Sequence, residues 1–331
     1  MIAITYQRYG SPEVLRLERI ERPHPSELGE GEVLVRVMAA GVNPLDWHFM
    51  RGTPYFLRLM TGVRRPKETR LGRDFAGVIE EVGPHVDGLR AGDEVYGAAR
   101  GSFAEYAIAH HDKIAAKPAN LGFEEAAAAP IAGLTALQAL RDAGKVQAGE
   151  TVLVNGASGG VGSFAVQIAK ASGARVTAVC GGWNAELVRS LGADQVIDYS
   201  KEDFAKRGDD GRRFDLLVDC VGNRKLGDCR RVLARRGRYV AVAGPEGRIA
   251  GPLFRMIQMF VVAPFISQRL PSLLASLNRP DLEALTALIE EGKVTPAVER
   301  RYDLDQVPAA IRYLETGHAR GKTVIRIGDE T

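Results

Sequence analysis

The feature that most constrains this chain is Thr151-Val152-Leu153-Val154-Asn155-Gly156-Ala157-Ser158-Gly159-Gly160-Val161-Gly162-Ser163. An apolar, β-branched run enters a cluster of glycines and passes directly into a helical pattern, SFAVQIAKA. Gly159 and Gly160 let the backbone turn tightly and approach a ligand with no Cβ in the way, and Gly162 lets the following helix pack closely on the strand. The helix start then presents unpaired N–H groups and the positive end of its dipole, the chemistry that seats a pyrophosphate. A glycine pattern alone says little, but this one opens a longer alternation. Runs at Thr151–Asn155, Arg175–Cys180, Gln195–Tyr199, Phe214–Cys220 and Arg238–Ala243 begin about 19 to 24 residues apart, with helical patterns such as AELVRSL in the gaps. Strands without alternation are buried on both faces, and helices between them make the sheet parallel. The expected fold class is therefore α/β, with a doubly wound parallel sheet that binds a dinucleotide. No GxxxxGK[ST] occurs, so a P-loop hydrolase is not supported.

The flanking segments have another texture. From Met1 to about Ala119 the apolar runs are short and cut by Gly and Pro: Val33–Ala40, Phe75–Val82, Glu94–Gly97, Phe103–Ala109. They predict small twisted sheets or a barrel. From Glu124, the stretch AAAAPIAGLTALQALRDAG predicts helix entered through Pro130. Further on, Leu270–Leu277 is read as an edge strand, Asp281–Glu291 as a helix and Phe254–Ile266 as an apolar helix. Val298–Leu304 and Thr323–Ile327 return to the short-strand texture, which implies that the tail folds back on the first part. The expected domains are 1–123, 124–295 and a returning 296–331.

Composition narrows the function. With 331 residues, 45% hydrophobic and 26% charged, the chain has ample core. Its 44 Lys and Arg against 41 Asp and Glu leave +3, too weak a field to argue for nucleic acid. No run is long and apolar enough to span a bilayer and no signal pattern opens the chain, so the expectation is a cytoplasmic protein with no membrane partner. Cys180, Cys220 and Cys229 lack CxxC spacing and cannot furnish a four-thiolate zinc site. Arg58, Arg64, Arg65, Lys67, Arg70 and Arg73 crowd one loop, read as a solvated basic face that would draw anions if it rims a cleft. At the end of the second strand an NAD binder usually carries Asp or Glu. Here stand Cys180-Gly181-Gly182-Trp183-Asn184, which favours NADP over NAD, although the Arg or Lys that would clasp a 2′-phosphate is also missing.

These segments, with GVNPLDW at Gly41–Trp47, LGRDFAGVIEEVG at Leu71–Gly83, GDEVYG at Gly92–Gly97, LGADQVIDY at Leu191–Tyr199 and GHARGKTVI at Gly317–Ile325, span nearly the whole chain. They resemble the zinc-independent quinone oxidoreductase (zeta-crystallin-like) branch of the medium-chain dehydrogenase/reductase superfamily, most of all the reticulon-4-interacting-protein-1-like NADPH oxidoreductases. The resemblance implies a GroES-like catalytic domain with an inserted Rossmann domain, the active site in the cleft between them, and a homodimer joined at the Rossmann sheet edge. Zinc alcohol dehydrogenases of the superfamily carry a Cys in the early Gly-Val segment and a GHE motif; here Asn43 and Gly72-Arg73-Asp74 stand there, so no metal site is expected.

By resemblance, Asn43 lies near the nicotinamide ribose, with a turn Asn before Pro44 as the other reading. Asp46 matches the aspartate of NPxD, and a helix-start cap is an equally good account. His48 stands where many relatives have Lys or Tyr, so it is either a proton relay or a packing histidine. Tyr55 is a second candidate donor or a cleft-lining aromatic. Thr135, Ser158, Gly159, Gly160, Val161, Gly162, Gly181, Tyr199, Asn223, Gly244 and Lys322 are the expected cofactor contacts, and Trp183 either covers the adenine or packs at the surface. The implied activity is transfer of hydride from NADPH, with NAD possible, to a quinone or an α,β-unsaturated carbonyl. The other reading is an NADP(H)-binding sensor or scaffold without turnover.

Overall fold

The computed structural model describes residues 1–206, 213–243 and 251–328. It divides into two compact units. The first comprises Met1–Leu134, Leu277–Gly292 and Pro296–Thr331; the second comprises Thr135–Ser276 and Lys293–Thr295. The division falls inside the helix Pro130–Gln138 rather than at 123, and 277–292 goes with the first unit rather than the second. Packing explains both differences. A Cβ on Gly41 would stand 2.3 Å from the Ala127 carbonyl, so the helix Phe123–Ala127 lies directly on the first unit's sheet. On the helix Arg279–Glu290, Leu285 packs against Gly133, and Leu282 O accepts from the Tyr96 hydroxyl at 2.8 Å.

The first unit holds a seven-stranded sheet in the order Val298–Asp303, Lys322–Arg326, Glu32–Val42, Asp74–Val82, Glu94–Ala98, Ile114–Ala116, with Tyr106–His110 also paired to Glu32–Val42. The returning tail is stitched in by antiparallel pairing, from Thr323 opposite Val42 to Arg326 opposite Ala39. A two-stranded ladder, Ile2–Thr5 with Arg16–Arg19, stands beside it.

The second unit is a five-stranded, all-parallel sheet in the order Gln195–Asp198, Arg175–Cys180, Thr151–Asn155, Phe214–Asp219, Leu233–Ala241. Chain order therefore reverses between Thr151–Asn155 and Phe214–Asp219, the switch point at which such sheets bind ligands beyond their C-terminal strand ends. The core explains the near-continuous apolar strands: Leu153, Ile197, Leu217 and Tyr239 have no exposed surface. The expected edge strand Leu270–Leu277 does not form. Only Arg269 bridges Arg238, because Pro271 offers no N–H to a ladder and Leu274 stays in solvent. The apolar stretch at 254–266 does include a helix, Gly251–Val262.

Candidate functional site

In the second unit, Thr151–Asn155 carries the chain into Gly156, whose φ of +79° is the positive value the turn requires. The left-handed position is thus Gly156 rather than Gly159 or Gly160. Gly159, at φ −82°, caps the helix Gly160–Ala171. At Gly162 a Cβ would lie 2.1 Å from Gly156 O and 2.8 Å from Ala157 Cα, so the helix start sits directly on the turn. The N–H groups of Ser158, Gly160, Val161 and Gly162 donate to no backbone acceptor among the described residues. Ser158 Oγ accepts from Asn184 Nδ2 at 3.0 Å, which leaves its own hydrogen free to donate. Asn184 Oδ1, wholly buried, has no partner among the described residues. Free amides at a helix start, a glycine cradle that a Cβ would fill and an orphaned buried acceptor beside it together fit a dinucleotide's diphosphate and ribose.

Of the other expected contacts of this unit, Gly181, Tyr199 and Asn223 lie at the C-terminal strand ends. Gly181 follows Arg175–Cys180, and a Cβ there would meet the Trp183 ring at 2.6 Å, so the indole covers it. Tyr199 follows Gln195–Asp198, and its half-exposed ring meets Trp183 edge-on with centroids 6.1 Å apart. Asn223 Oδ1 accepts from Asn155 Nδ2 at 3.3 Å. Thr135 is half-buried on the helix Pro130–Gln138. Gly244 lies outside the described residues.

Three groups here are not apparent from the sequence alone. Asp219, fully buried, accepts from Asn155 Nδ2 (2.8 Å), Gly222 N (2.9 Å) and Val221 N (3.2 Å) through Oδ1, and from the Tyr239 hydroxyl (2.8 Å) through Oδ2. It ties the end of the central strand to the loop carrying Asn223. Replacing Tyr239 by Phe should cost about 1.5–3 kcal/mol in urea unfolding, because a buried carboxylate loses its hydroxyl donor. Arg255, also buried, donates through Nη2 to Arg224 O and sits 5.9 Å from the Tyr239 ring centroid. Lys201, two residues past Tyr199, is an exposed cation whose Nζ lies 3.8 Å from Asp198 Oδ2. Burial pushes the Cys180 thiol up to about 11 and Cys229 to about 12, so both stay protonated and inert.

The first unit gathers a different set. Asn43 precedes the helix Pro44–Arg51, with Pro44 at the position where a missing N–H costs nothing. Asp46 Oδ2 accepts from Asn43 N at 2.7 Å, the capping role, while Oδ1 is buried without a partner among the described residues. Asn43 Nδ2 donates to Asp74 Oδ2 at 2.9 Å, and Lys322 Nζ donates to Asn43 Oδ1 at 2.5 Å and Val42 O at 3.0 Å. Asp74 also accepts from Ile131 N at 3.2 Å, and stands 3.8 Å from Lys322. Asn43, Asp46, Asp74 and Lys322 thus form one buried network of two carboxylates and one ammonium. Burial is the main cause of every shift: it pushes Asp46 up to about 7 and Asp74 up to about 6, and lowers Lys322.

His48 and Tyr55 are not part of this network. The His48 ring packs on Trp47 with centroids 3.7 Å apart, and Nδ1 lies 2.7 Å from Thr53 O, which can only accept. Nδ1 therefore carries the proton, and burial lowers the pKa, so the ring is neutral with its hydrogen already engaged. Tyr55 is exposed, with the Arg58 guanidinium 4.9 Å over its ring. Among the described residues no three His, Cys, Asp or Glu come together in a group that could hold a metal.

Family models match both parts of the chain: an alcohol dehydrogenase GroES-like domain over residues 29–119 and a zinc-binding dehydrogenase over 191–325. The chain is 37% identical to 2-methylene-furan-3-one reductase of Solanum lycopersicum, across 98% of its own length and 79% of the relative's. It belongs to the medium-chain dehydrogenase/reductase superfamily, in the quinone oxidoreductase branch. Within that branch it is also 33% identical to the mitochondrial NAD(P)H oxidoreductase RTN4IP1 of Bos taurus, over 99% of this chain and 89% of that one. A solved quinone oxidoreductase from Coxiella burnetii superposes with a TM-score of 0.86 at 33% identity, covering 99% of both chains. The two folds expected from the resemblance, a GroES-like part and a Rossmann sheet, are those of this family. The chain is an oxidoreductase that uses a nicotinamide cofactor. No described helix is long and apolar enough to cross a membrane.

Proposed function

We propose that this oxidoreductase is NADPH-dependent and metal-independent and reduces a quinone or an α,β-unsaturated carbonyl. The observation that carries the reading is the loop Asn155–Ser163, whose free amides and Ser158 hydroxyl are placed to receive a diphosphate, in a chain that has Asn43 and Arg73 where zinc dehydrogenases carry Cys and the His of GHE. The nicotinamide, when bound, would supply a hydride, which carries the two electrons, and a proton from elsewhere would complete the reduction. An acceptor that is already electron-poor needs no Lewis acid, so the protein's contribution is to position it. His48 holds its hydrogen to Thr53 and stays neutral, so this ring is not the group that protonates the product anion. The relatives' names, a furanone reductase and a quinone oxidoreductase, support these two acceptor classes.

For the cofactor, the missing carboxylate on the second strand and Lys201 beside Tyr199 support NADPH. Asp198 is the observation that favours NADH, since a Cβ on Gly182 would meet its Oδ2 at 2.4 Å, placing a carboxylate at the same corner. Ser200 already engages that carboxylate through N and Oγ, at 3.0 and 2.7 Å. Steady-state oxidation of NADPH and NADH with a panel of quinones and enones tests both points. Turnover with NADPH at least about tenfold more efficient than with NADH is expected. Nucleotide binding with no turnover on any acceptor would instead make the protein a sensor.

We further propose a homodimer, held through the second unit. On the helix Gly251–Val262 the one charged residue, Arg255, is buried, whereas Phe254, Ile257, Val261 and Phe260 (82% exposed) face out. An uncharged apolar face of this kind suits a second copy of itself. Phe260→Asp should convert the protein from dimer to monomer in sedimentation velocity, with the melting temperature of each unit's core little changed.

A further inference from the structure

The loop that follows the helix Pro44–Arg51 is built unlike the rest of the surface. From Trp47 to Lys67 the chain contains no Asp or Glu, yet carries Arg51, Arg58, Arg64, Arg65 and Lys67. Two of these hold the loop in place. Arg51 pairs with Glu315, and Arg58 donates to Gly52 O at 2.9 Å while lying 4.5 Å over the Tyr9 ring. From the other side the Tyr9 hydroxyl donates to Gly62 O at 2.6 Å. On this pinned frame Phe56, Leu59 (75% exposed), Met60 (78%) and Val63 point to solvent. Beside them Arg64, Arg65 and Lys67 are exposed and make no side-chain hydrogen bond or ion pair among the described residues.

We propose that this loop is a docking surface for an anionic lipid bilayer. Single exposed apolar residues are ordinary, but four large ones within eight positions are not. Apolar side chains at the tip with unpaired cations beside them match an interface where acyl chains lie just beneath phosphate headgroups. A second copy of the loop is a poor occupant, since each would bring only positive charge to the other; this separates it from the uncharged face around Phe260. The lack of a spanning helix among the described residues says nothing against docking upon a bilayer. The proposal goes beyond the reductase reading and stands without it, although quinones with long apolar tails reside in such membranes.

The test is flotation of the full-length protein with vesicles, without cofactor or acceptor, so its outcome is independent of any turnover. Vesicles of phosphatidylcholine mixed with phosphatidylglycerol should carry the protein, pure phosphatidylcholine should not, and about 0.5 M salt should release most of it. Reversing three charges, Arg64→Glu with Arg65→Glu and Lys67→Glu, should weaken binding at least about a hundredfold, given about 1 kcal/mol per basic residue. Leu59→Ser with Met60→Ser should weaken it about tenfold. Thermal melts matching the wild type will show that both variants fold. Failure of the wild type to float with the anionic vesicles overturns the proposal. So does binding that survives the charge reversals, or that the Leu59 and Met60 changes leave untouched, since the latter would be plain attraction to charge with no apolar contact.

Discussion

Gly162→Val should abolish nucleotide binding while Gly227→Ala leaves it intact. At Gly162 every atom that an added Cβ would meet is backbone: Gly156 O at 2.1 Å, Ala157 Cα and Gly156 C at 2.8 Å. No side-chain rotation can relieve that contact, so the helix Gly160–Ala171 must lift from the turn, and the free amides leave the positions where a diphosphate meets them. NADPH affinity, followed by fluorescence titration, should fall at least about a hundredfold, and unfolding free energy should drop by about 1–3 kcal/mol from overpacking. Gly227, on the helix Leu226–Arg231, has nothing within 4 Å of the place a methyl group would take, so alanine there should be neutral or stabilise by up to about 1 kcal/mol.

The second large effect is expected at Lys322. Among the described residues it is the only cation bonded to a buried network that contains two carboxylates, Asp46 and Asp74, both wholly inaccessible. Lys322→Met should cost about 3–5 kcal/mol in urea unfolding, because a buried charge is left without its partner. Adding Asp74→Asn should recover about half. The pH dependence follows from the same burial. In the unfolded chain these carboxyls titrate near 4, whereas in the fold Asp46 is pushed up to about 7 and Asp74 to about 6. Between those values the native state holds protons that the unfolded chain has lost. Stability from this pair is therefore fullest in acid, falls as pH rises from about 4 to about 7, and levels off above. Asp46→Asn should flatten the upper part of that fall. The groups facing the pair are Asn43, Lys322, Arg73 and the Ile131 N–H. Asp112, Glu150, Asp194, Asp198 and Asp203, held below the usual carboxylate range by their partners, act in the opposite direction, so the pair's part is read as the difference between the wild type and Asp46→Asn.

Much of this architecture is legible in the order of the amino acids. The glycine loop and the strands at 151–155, 175–180 and 214–219 stand out because fully buried parallel strands need continuous apolar runs, and because a tight strand-to-helix turn needs glycine. What the sequence conceals is partnership. Asp219 ends an apolar strand like any polar residue, and its donors Asn155 and Tyr239 come from neighbouring strands 64 and 20 positions away. His48 is visible as a candidate, but the carbonyl of Thr53 that occupies its proton is not. Leu270–Leu277 reads as a strand because apolar content outweighs a single proline. The helix Gly251–Val262 inverts the usual rule, burying its arginine and exposing its phenylalanines, which periodicity alone cannot reveal. Lys201 is easily passed over because a cation is sought at the second strand end, and this one stands past the third.

The central claim, hydride delivery from a diphosphate-seated nicotinamide without help from a metal, is tested most directly by isotope transfer. Protein dialysed against chelator would be given NADPH deuterated on the transferring face of carbon 4, together with an α,β-unsaturated ketone, and the product examined by mass spectrometry. The account predicts one deuterium at the carbon β to the carbonyl, in a yield that zinc does not change. Product free of deuterium, or labelled only after zinc is restored, would contradict it.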